Sequence, residues 1–282
     1  MPQLTAADAG SIAVGDRTVH RLGFGAMRIT GPGIWGPPRD PGAATRVLRR
    51  ALELGVNFID TADSYGPDVS ESLIAEALYP YPDELVIATK GGLLRDGPGQ
   101  WRPDGRPEHL RAACEGSLRR LKLDQIAVYQ LHRPDPAVPL EASVGALATL
   151  RDEGKIAHVG LSNVDTDQLA VAQRIVPIVS VQNRFNVTDR ESEPLVRACA
   201  AQGLAFLPWA PLSGGEIPSA VESIARAHGV SAVAIALGWL LARSPAMLPI
   251  PGTASVAHLE DNVAAADVRL SSDDLAALDA VR

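Results

Sequence analysis

From Leu22 onward the chain alternates short apolar runs with longer stretches whose apolar residues recur every three or four positions. That pattern belongs to buried strands separated by amphipathic helices. Strands are predicted over residues 22–27, 57–61, 85–90, 125–132, 156–162, 178–183, 204–209 and 247–250. Helices are predicted over 43–53, 70–78, 107–121, 139–153, 166–175, 192–202, 217–228, 231–243 and 255–265, and over 271–281 with Ser271 or Ser272 as its cap. Ahead of this rhythm, residues 11–20 alternate weakly around Gly15-Asp16, a two-residue hairpin turn, and predict a plug or lid. Residues 30–41, rich in Gly and Pro and carrying Trp35, predict a loop between the first strand and the first helix.

Strands buried on both faces and separated by helices form a parallel sheet. Eight such units close into an α/β (β/α)8 TIM barrel, here with an N-terminal β-hairpin and an extra C-terminal helix; the active site of such a barrel lies at the C-terminal ends of its strands. An open doubly wound sheet would require a Gly-rich turn running straight into a helix, whereas Gly23-Phe24-Gly25-Ala26 runs into a loop. No linker or shift of composition divides the chain, so residues 1–282 read as a single domain.

Composition narrows the function classes. A net charge of −7 speaks against the clustered basic face that nucleic acid requires. The pairs Arg49-Arg50 and Arg119-Arg120 have Glu53 and Glu115 within a turn, and read as solvated helix faces. Cys114 and Cys199 lie far apart on predicted helices and read as buried, reduced thiols. No apolar run reaches membrane-spanning length, and residues 1–10 lack a basic start and an apolar core. The expectation is a cytoplasmic protein, monomeric or weakly self-associating, with no nucleic-acid, membrane or metal partner.

Applying the barrel rule gathers the chemistry. Asp60 ends the second strand, Lys90 the third and His132 the fourth, and Tyr65 stands in the loop after Asp60. A Lys90 ammonium beside the Tyr65 phenol is expected to lower its pKa, and a buried Asp60 carboxylate to keep the lysine charged. His132 can hydrogen-bond the same substrate oxygen. Such a set protonates an alkoxide as it forms from a carbonyl.

These residues also carry a likeness. Phe58-Ile59-Asp60-Thr61-Ala62 with Tyr65-Gly66, Thr89-Lys90, Gln130-Leu131-His132-Arg133-Pro134, and the stretch from Gly154-Lys155-Ile156 to Leu161-Ser162-Asn163 together resemble the aldo/keto reductase superfamily. So does the stretch from Ile250-Pro251-Gly252-Thr253 to Asp261-Asn262, and the likeness covers nearly the whole chain in the family's order. The resemblance implies hydride transfer from a nicotinamide to an aldehyde or ketone, with Tyr65 as general acid supported by Asp60, Lys90 and His132. Asp63 matches no catalytic position and is expected to shape the turn bearing Tyr65. Ser162, Asn163 and Gln182 match residues that hold the nicotinamide carboxamide, and Trp209 matches the aromatic stacked on its ring. Pro211, Leu212, Ser213 and Gly214 form the loop facing the pyrophosphate.

At the adenosine end the matching residues are Gly252, Thr253, Ser255, His258, Asp261 and Asn262. Familiar members carry Lys and Arg where Gly252 and His258 stand, so the 2′-phosphate of NADPH meets less charge here; NADPH/NADP is the expected cofactor and NADH stays open. The stretch from Arg21 to Met27, residues 31–40, 77–81 and 251–259 resemble the bacterial pyridoxal reductase, or pyridoxine 4-dehydrogenase, subgroup. The substrate is expected to be a small carbonyl compound, pyridoxal among the candidates, walled by Met27, Trp35, Tyr65 and Trp101, with Trp35 and Trp101 on long loops. The short C-terminal end predicts an open mouth. A ketoreductase acting on a sugar or polyketide intermediate and a non-catalytic cofactor-sensing subunit are the alternatives.

Overall fold

The computed structural model describes residues 4–211 and 217–281. Its centre is a parallel sheet of β3 (Phe24–Gly25), β4 (Phe58–Asp60), β5 (Val86–Gly91), β8 (Ile126–Leu131), β9 (Ile156–Ser162), β10 (Ile178–Arg184) and β11 (Ala205–Trp209), paired in that order. The helices α1 (Pro41–Glu53), α2 (Val69–Leu78), α3 (Pro107–Leu121), α4 (Leu140–Asp152), α5 (Thr166–Gln173) and α6 (Glu193–Gln202) connect successive strands of that sheet. After β11 come α7 (Ser219–His228), α8 (Ala232–Arg243), α9 (Val256–Ala264) and α10 (Ser272–Asp279), the last capped by Ser271. This is the (β/α)8 barrel that the periodicity predicts.

The eighth stave differs from expectation. Residues 247–250 do not form a regular strand, yet their backbone closes the barrel on both sides. Phe206 N donates to Ala246 O at 2.8 Å and Leu248 N to Phe206 O at 2.9 Å; across the gap Gly23 N donates to Pro249 O at 2.9 Å and Gly25 N to Pro251 O at 3.2 Å. Pro249 and Pro251 have no N–H, so this edge accepts from β3 but returns no bond at those positions. The first strand is also shorter than expected, because residues 26–29 turn into a 3₁₀ helix.

Two antiparallel hairpins flank the barrel. The N-terminal one, β1 (Ser11–Val14) and β2 (Arg17–His20), inserts fully buried Val14 and Val19 among Phe58, Val86, Val128 and Leu207, and so plugs the barrel floor. The second, β6 (Leu93–Gly97) and β7 (Gln100–Pro103), replaces what was expected to be a long loop carrying Trp101. Its turn falls at Pro98-Gly99, a turn dipeptide inside a stretch too short and polar to announce strands. Cys114 and Cys199 are buried free thiols, each pushed up to about 12 by desolvation.

Arg120 is not on a solvated face. Its Nε donates at 2.7 Å to Glu71, a carboxylate with no exposure, which also accepts from Thr89 Oγ1 at 2.5 Å. Arg120 Nη1 further pairs with Asp68 at 3.1 Å. One buried carboxylate thereby joins α2, β5 and α3, behind the strand that carries Lys90. Replacing Glu71 with Ala leaves the buried Thr89 hydroxyl without its acceptor and the largely buried Arg120 guanidinium with Asp68 alone, and is expected to cost about 3 kcal/mol of unfolding free energy. Urea denaturation measures this; a loss under about 1 kcal/mol, the range of a surface pair, contradicts it.

Candidate active site

Lys90 lies in the penultimate position of β5 and is completely buried. Its ammonium donates to Asp60 Oδ2 at 2.6 Å, to Thr61 O at 2.9 Å and to Tyr65 Oη at 3.2 Å. Three protons thus meet three acceptors, which is what a buried ammonium requires. The other oxygen of Asp60, Oδ1, accepts from Gln182 Nε2 at 2.8 Å and Gln130 Nε2 at 3.0 Å. Gln130 was named in the sequence only as part of a motif and given no role, although an amide near the end of the apolar strand Ile126–Leu131 was a usable signal.

Tyr65 is delivered by a tight turn. Its N–H donates to Ala62 O at 3.2 Å, and its carbonyl accepts from Ser70 N at 3.0 Å as α2 begins. Gly66 takes φ +104°, where any Cβ would collide with Val69, so only glycine permits the turn. The phenol ring meets His132 edge-on at 5.8 Å, and His132 Nδ1 lies 3.3 Å from Ser64 Oγ. Asp60, Tyr65, Lys90 and His132 therefore stand together at the C-terminal mouth. The Asp63 side chain joins none of these hydrogen bonds. Its Oδ1 is buried without a hydrogen-bond partner, and burial, then the charge of Glu71, push its pKa well up.

The electrostatics differ from expectation at one point. Burial raises the Tyr65 pKa most, the charge and hydrogen bond of Lys90 draw it down, and the nearby carboxyl groups of Asp60 and Asp63 raise it again, so the net shift is upward. Tyr65 thus keeps its proton through neutral pH. Burial alone would lower the Lys90 pKa, but the charge of Asp60, the proximity of Tyr65 and hydrogen bonds to both more than offset it. His132 is held well below the usual histidine value, by burial first and then by Lys90 and Arg133, and is neutral.

Around this core stand the residues expected to hold a dinucleotide. Ser162 ends β9, nearly inaccessible, and Asn163 follows in the left-handed region with φ +58°. Asn163 Nδ2 lies 3.0 Å from both His132 O and Ser162 Oγ, which leaves its carbonyl oxygen as the free end of the amide. Gln182 directs its amino group inward to Asp60. Trp209 ends β11 with its indole N–H buried and unpartnered. Pro211 is half-buried at the start of the next loop, and Leu212, Ser213 and Gly214 lie outside the described residues.

Gly252 and Gly25 meet backbone to backbone. A Cβ on Gly252 would come within 2.5 Å of Gly25 O and 3.5 Å of Arg28 Cγ, so no side chain fits at that position without a shift of the main chain. Thr253 Oγ1 accepts from Ser255 N at 3.0 Å, and Ser255 Oγ caps α9 by accepting from His258 N at 3.5 Å. Along α9, His258 is exposed, Asp261 half-buried and Asn262 buried. A cavity of about 520 Å³, lined by Met27, Arg28, Ile34, Arg39, Trp101 and Ala254, opens beside this segment. Met27 and Trp101 line this cavity; Trp35, next to the lining residue Ile34, is not part of the lining, but the Arg95 guanidinium carbon lies 5.7 Å from its ring centre and 3.7 Å from that of Trp101. Among the described residues no group of His, Cys, Asp and Glu is arranged to hold a metal ion.

The model of the aldo/keto reductase family matches residues 21–282. The chain is 50% identical over 277 residues to an uncharacterised oxidoreductase of Schizosaccharomyces pombe, covering 97% of this chain and 90% of the relative. It is 44% identical over 283 residues to pyridoxine 4-dehydrogenase of Escherichia coli, covering 97% and 98%. Among solved structures it is similar to the glycerol dehydrogenase of Gluconobacter oxydans, with a TM-score of 0.86 and 26% identity over 96% of this chain and 94% of that one. It is also similar to an aldo-keto reductase from Klebsiella pneumoniae in complex with NADPH, with a TM-score of 0.81 and 28% identity over 95% and 93%. A match that begins one residue past the floor hairpin and runs to residue 282 covers every stave of the barrel, and the chain belongs to the aldo/keto reductase family.

Proposed function

We propose that the chain reduces a small aldehyde or ketone to the alcohol at the expense of NADPH, with pyridoxal the first substrate to examine. The observation that carries this reading is the fully buried Lys90 ammonium held between Asp60 and the Tyr65 phenol. When bound, the dihydronicotinamide supplies the hydride. Tyr65 Oη gives its proton to the carbonyl oxygen, and Lys90, already hydrogen-bonded to Oη, stabilises the phenolate left behind. Asp60 keeps the lysine charged and aimed. His132, neutral and with Nδ1 engaged by Ser64, offers Nε2 to the same oxygen.

The donor set suits the cofactor. Asn163 and Gln182 each retain an amide oxygen for the carboxamide, beside the Ser162 hydroxyl, and Trp209 offers its ring face to the nicotinamide. Ser213 and Gly214, with Pro211 and Leu212, are assigned to the pyrophosphate. Thr253, Ser255, His258, Asp261 and Asn262 line the adenosine end, and Gly252 lets the backbone approach it. The relative crystallised with NADPH and the pyridoxine 4-dehydrogenase relative support this choice of cofactor and substrate. Among the described residues no single helix is long and apolar enough to cross a membrane. Cytoplasmic placement is part of the same proposal, supported by the two reduced thiols.

The Tyr65→Phe variant should reduce pyridoxal at least about a hundredfold more slowly while NADPH binding, read by tryptophan quenching, is retained; full activity contradicts the mechanism. With Tyr65 shifted up and His132 shifted well down, neither group titrates near neutrality. The wild-type reduction rate should stay flat from about pH 7 to 9 and fall only above about 10, where the phenol loses its proton; a limb near pH 7 contradicts the assignment. Titration of the protein with both nucleotides should show NADPH binding tighter than NADH by about tenfold, one charge-assisted hydrogen bond's worth. Equal affinity, or tighter NADH, removes the 2′-phosphate from the account.

A further inference from the structure

Arg95, in the middle of β6, has all five of its N–H groups turned on backbone carbonyls from three separate segments. Nη1 donates to Ile34 O at 2.6 Å and Ser64 O at 3.3 Å, Nη2 to Gly33 O at 2.8 Å and Gly97 O at 3.3 Å, and Nε to Gln100 O at 3.3 Å. Its flat faces lie against indoles. The guanidinium carbon is 3.7 Å from the ring centre of Trp101, its cross-strand partner, and 5.7 Å from that of Trp35. No carboxylate pairs with it among the described residues. Five carbonyls and two π faces take the place of a counter-ion.

The segments it joins surround the reacting groups. Ser64 immediately precedes Tyr65, and on the far side of the acid Gly66 O accepts from Gly36 N at 2.6 Å while Trp35 bridges Gly66. Trp101 stands 6.5 Å from His132 in an edge contact. Arg95 also holds a costly backbone. Ile34, β-branched, sits at φ +57°, a left-handed conformation that such a residue adopts only under strain, and Arg95 grips the carbonyls of Ile34 and of Gly33 before it. Both tryptophans remain more than a third exposed, at 36% for Trp35 and 37% for Trp101, and so are available to a ligand.

We propose that Arg95 is a positioning residue that fixes Trp35 and Trp101 as a rigid aromatic wall beside Tyr65 and His132, and that this wall selects planar aromatic carbonyl compounds over short aliphatic ones. The selection is by preorganisation. A flat ring gains stacking area against an indole that has no rotamer freedom left to lose, whereas propanal has no ring to stack. The inference rests on the reductase reading for the reaction, but the wall itself is tested by binding alone.

The test compares wild type with Arg95→Met, which keeps the stem and loses the donors, with Arg95→Lys, which keeps the charge, and with Trp101→Leu, which removes one face of the wall without touching the carbonyl network. Steady-state kinetics with pyridoxal and with propanal, calorimetric titration with pyridoxine, NADPH quenching and thermal melting are measured on each. Arg95→Met and Trp101→Leu should lower the pyridoxal-to-propanal ratio of kcat/KM about tenfold, mostly through KM, and weaken pyridoxine by a similar factor. Lys at position 95 should not restore the ratio, because an ammonium cannot reach five carbonyls in a plane. An unchanged ratio in all three variants overturns the inference. So does an equal loss on both substrates together with weakened NADPH binding, the signature of general damage to the mouth. If wild type binds pyridoxine and Arg95→Met does not, yet no carbonyl is reduced, the wall stands and the proposed reaction falls; if wild type binds no aromatic ligand, the wall falls.

Discussion

An ammonium with no solvent exposure is the constraint on which the site depends. Burying Lys90 costs several kcal/mol unless its protons and charge are met, and the fold meets them with Asp60, the Thr61 carbonyl and Tyr65. Asp60 in turn is buried, and two amides from different strands, Gln130 and Gln182, complete its shell. Four strands of the barrel must be in register for that network to exist. The catalytic geometry is therefore coupled to closure of the barrel, and the same bonds that satisfy a buried charge aim it at the phenol. The net result for Tyr65 is a retained proton rather than a readily lost one, because desolvation, with the neighbouring carboxyl groups of Asp60 and Asp63, exceeds the pull of the lysine. That suits a group whose task is to donate, with the lysine positioned for the moment the proton leaves.

A second positive charge organises the rim by different means. Lys90 is matched by a carboxylate, whereas Arg95 is matched by carbonyls and indole faces. A carboxylate at the rim would place a negative charge beside the reacting oxygen. Backbone dipoles stabilise the guanidinium without doing so, and they bind three loops instead of one side chain. The acid's turn is consequently held from inside, through Lys90 and Ser70, and from outside, through Arg95 and Gly36.

How much of this was legible follows from where the information sits. Asp60, Lys90 and His132 could be read because strand ends in a barrel converge, and strand ends are set by apolar runs that one sequence displays. Residues 247–250 looked like a strand for the same reason, but the alternation of Pro249 and Pro251 removes donors that apolarity does not record. Arg120 looked solvated because its neighbour within a turn is Glu115; its true partner, Glu71, is 49 residues away. Gln130 and Gln182 as carriers of Asp60 required the register between strands. Arg95 was hidden most completely. Its partners are carbonyls, which every residue has, and the hairpin that holds it is signalled only by Pro98-Gly99. Leu212 to Gly214, expected at the pyrophosphate, fall outside the described residues and rest on resemblance.

The central claim is that Tyr65 stays protonated beside a charged Lys90 because burial, together with the carboxyl groups of Asp60 and Asp63, outweighs the ion's pull. Ultraviolet difference titration of wild type against Tyr65→Phe follows tyrosinate formation at this one residue. The account predicts that the difference signal emerges only above about pH 10, the ordinary tyrosine value; a tyrosinate signal already present between about pH 7 and 8 would show the lysine winning and would contradict it.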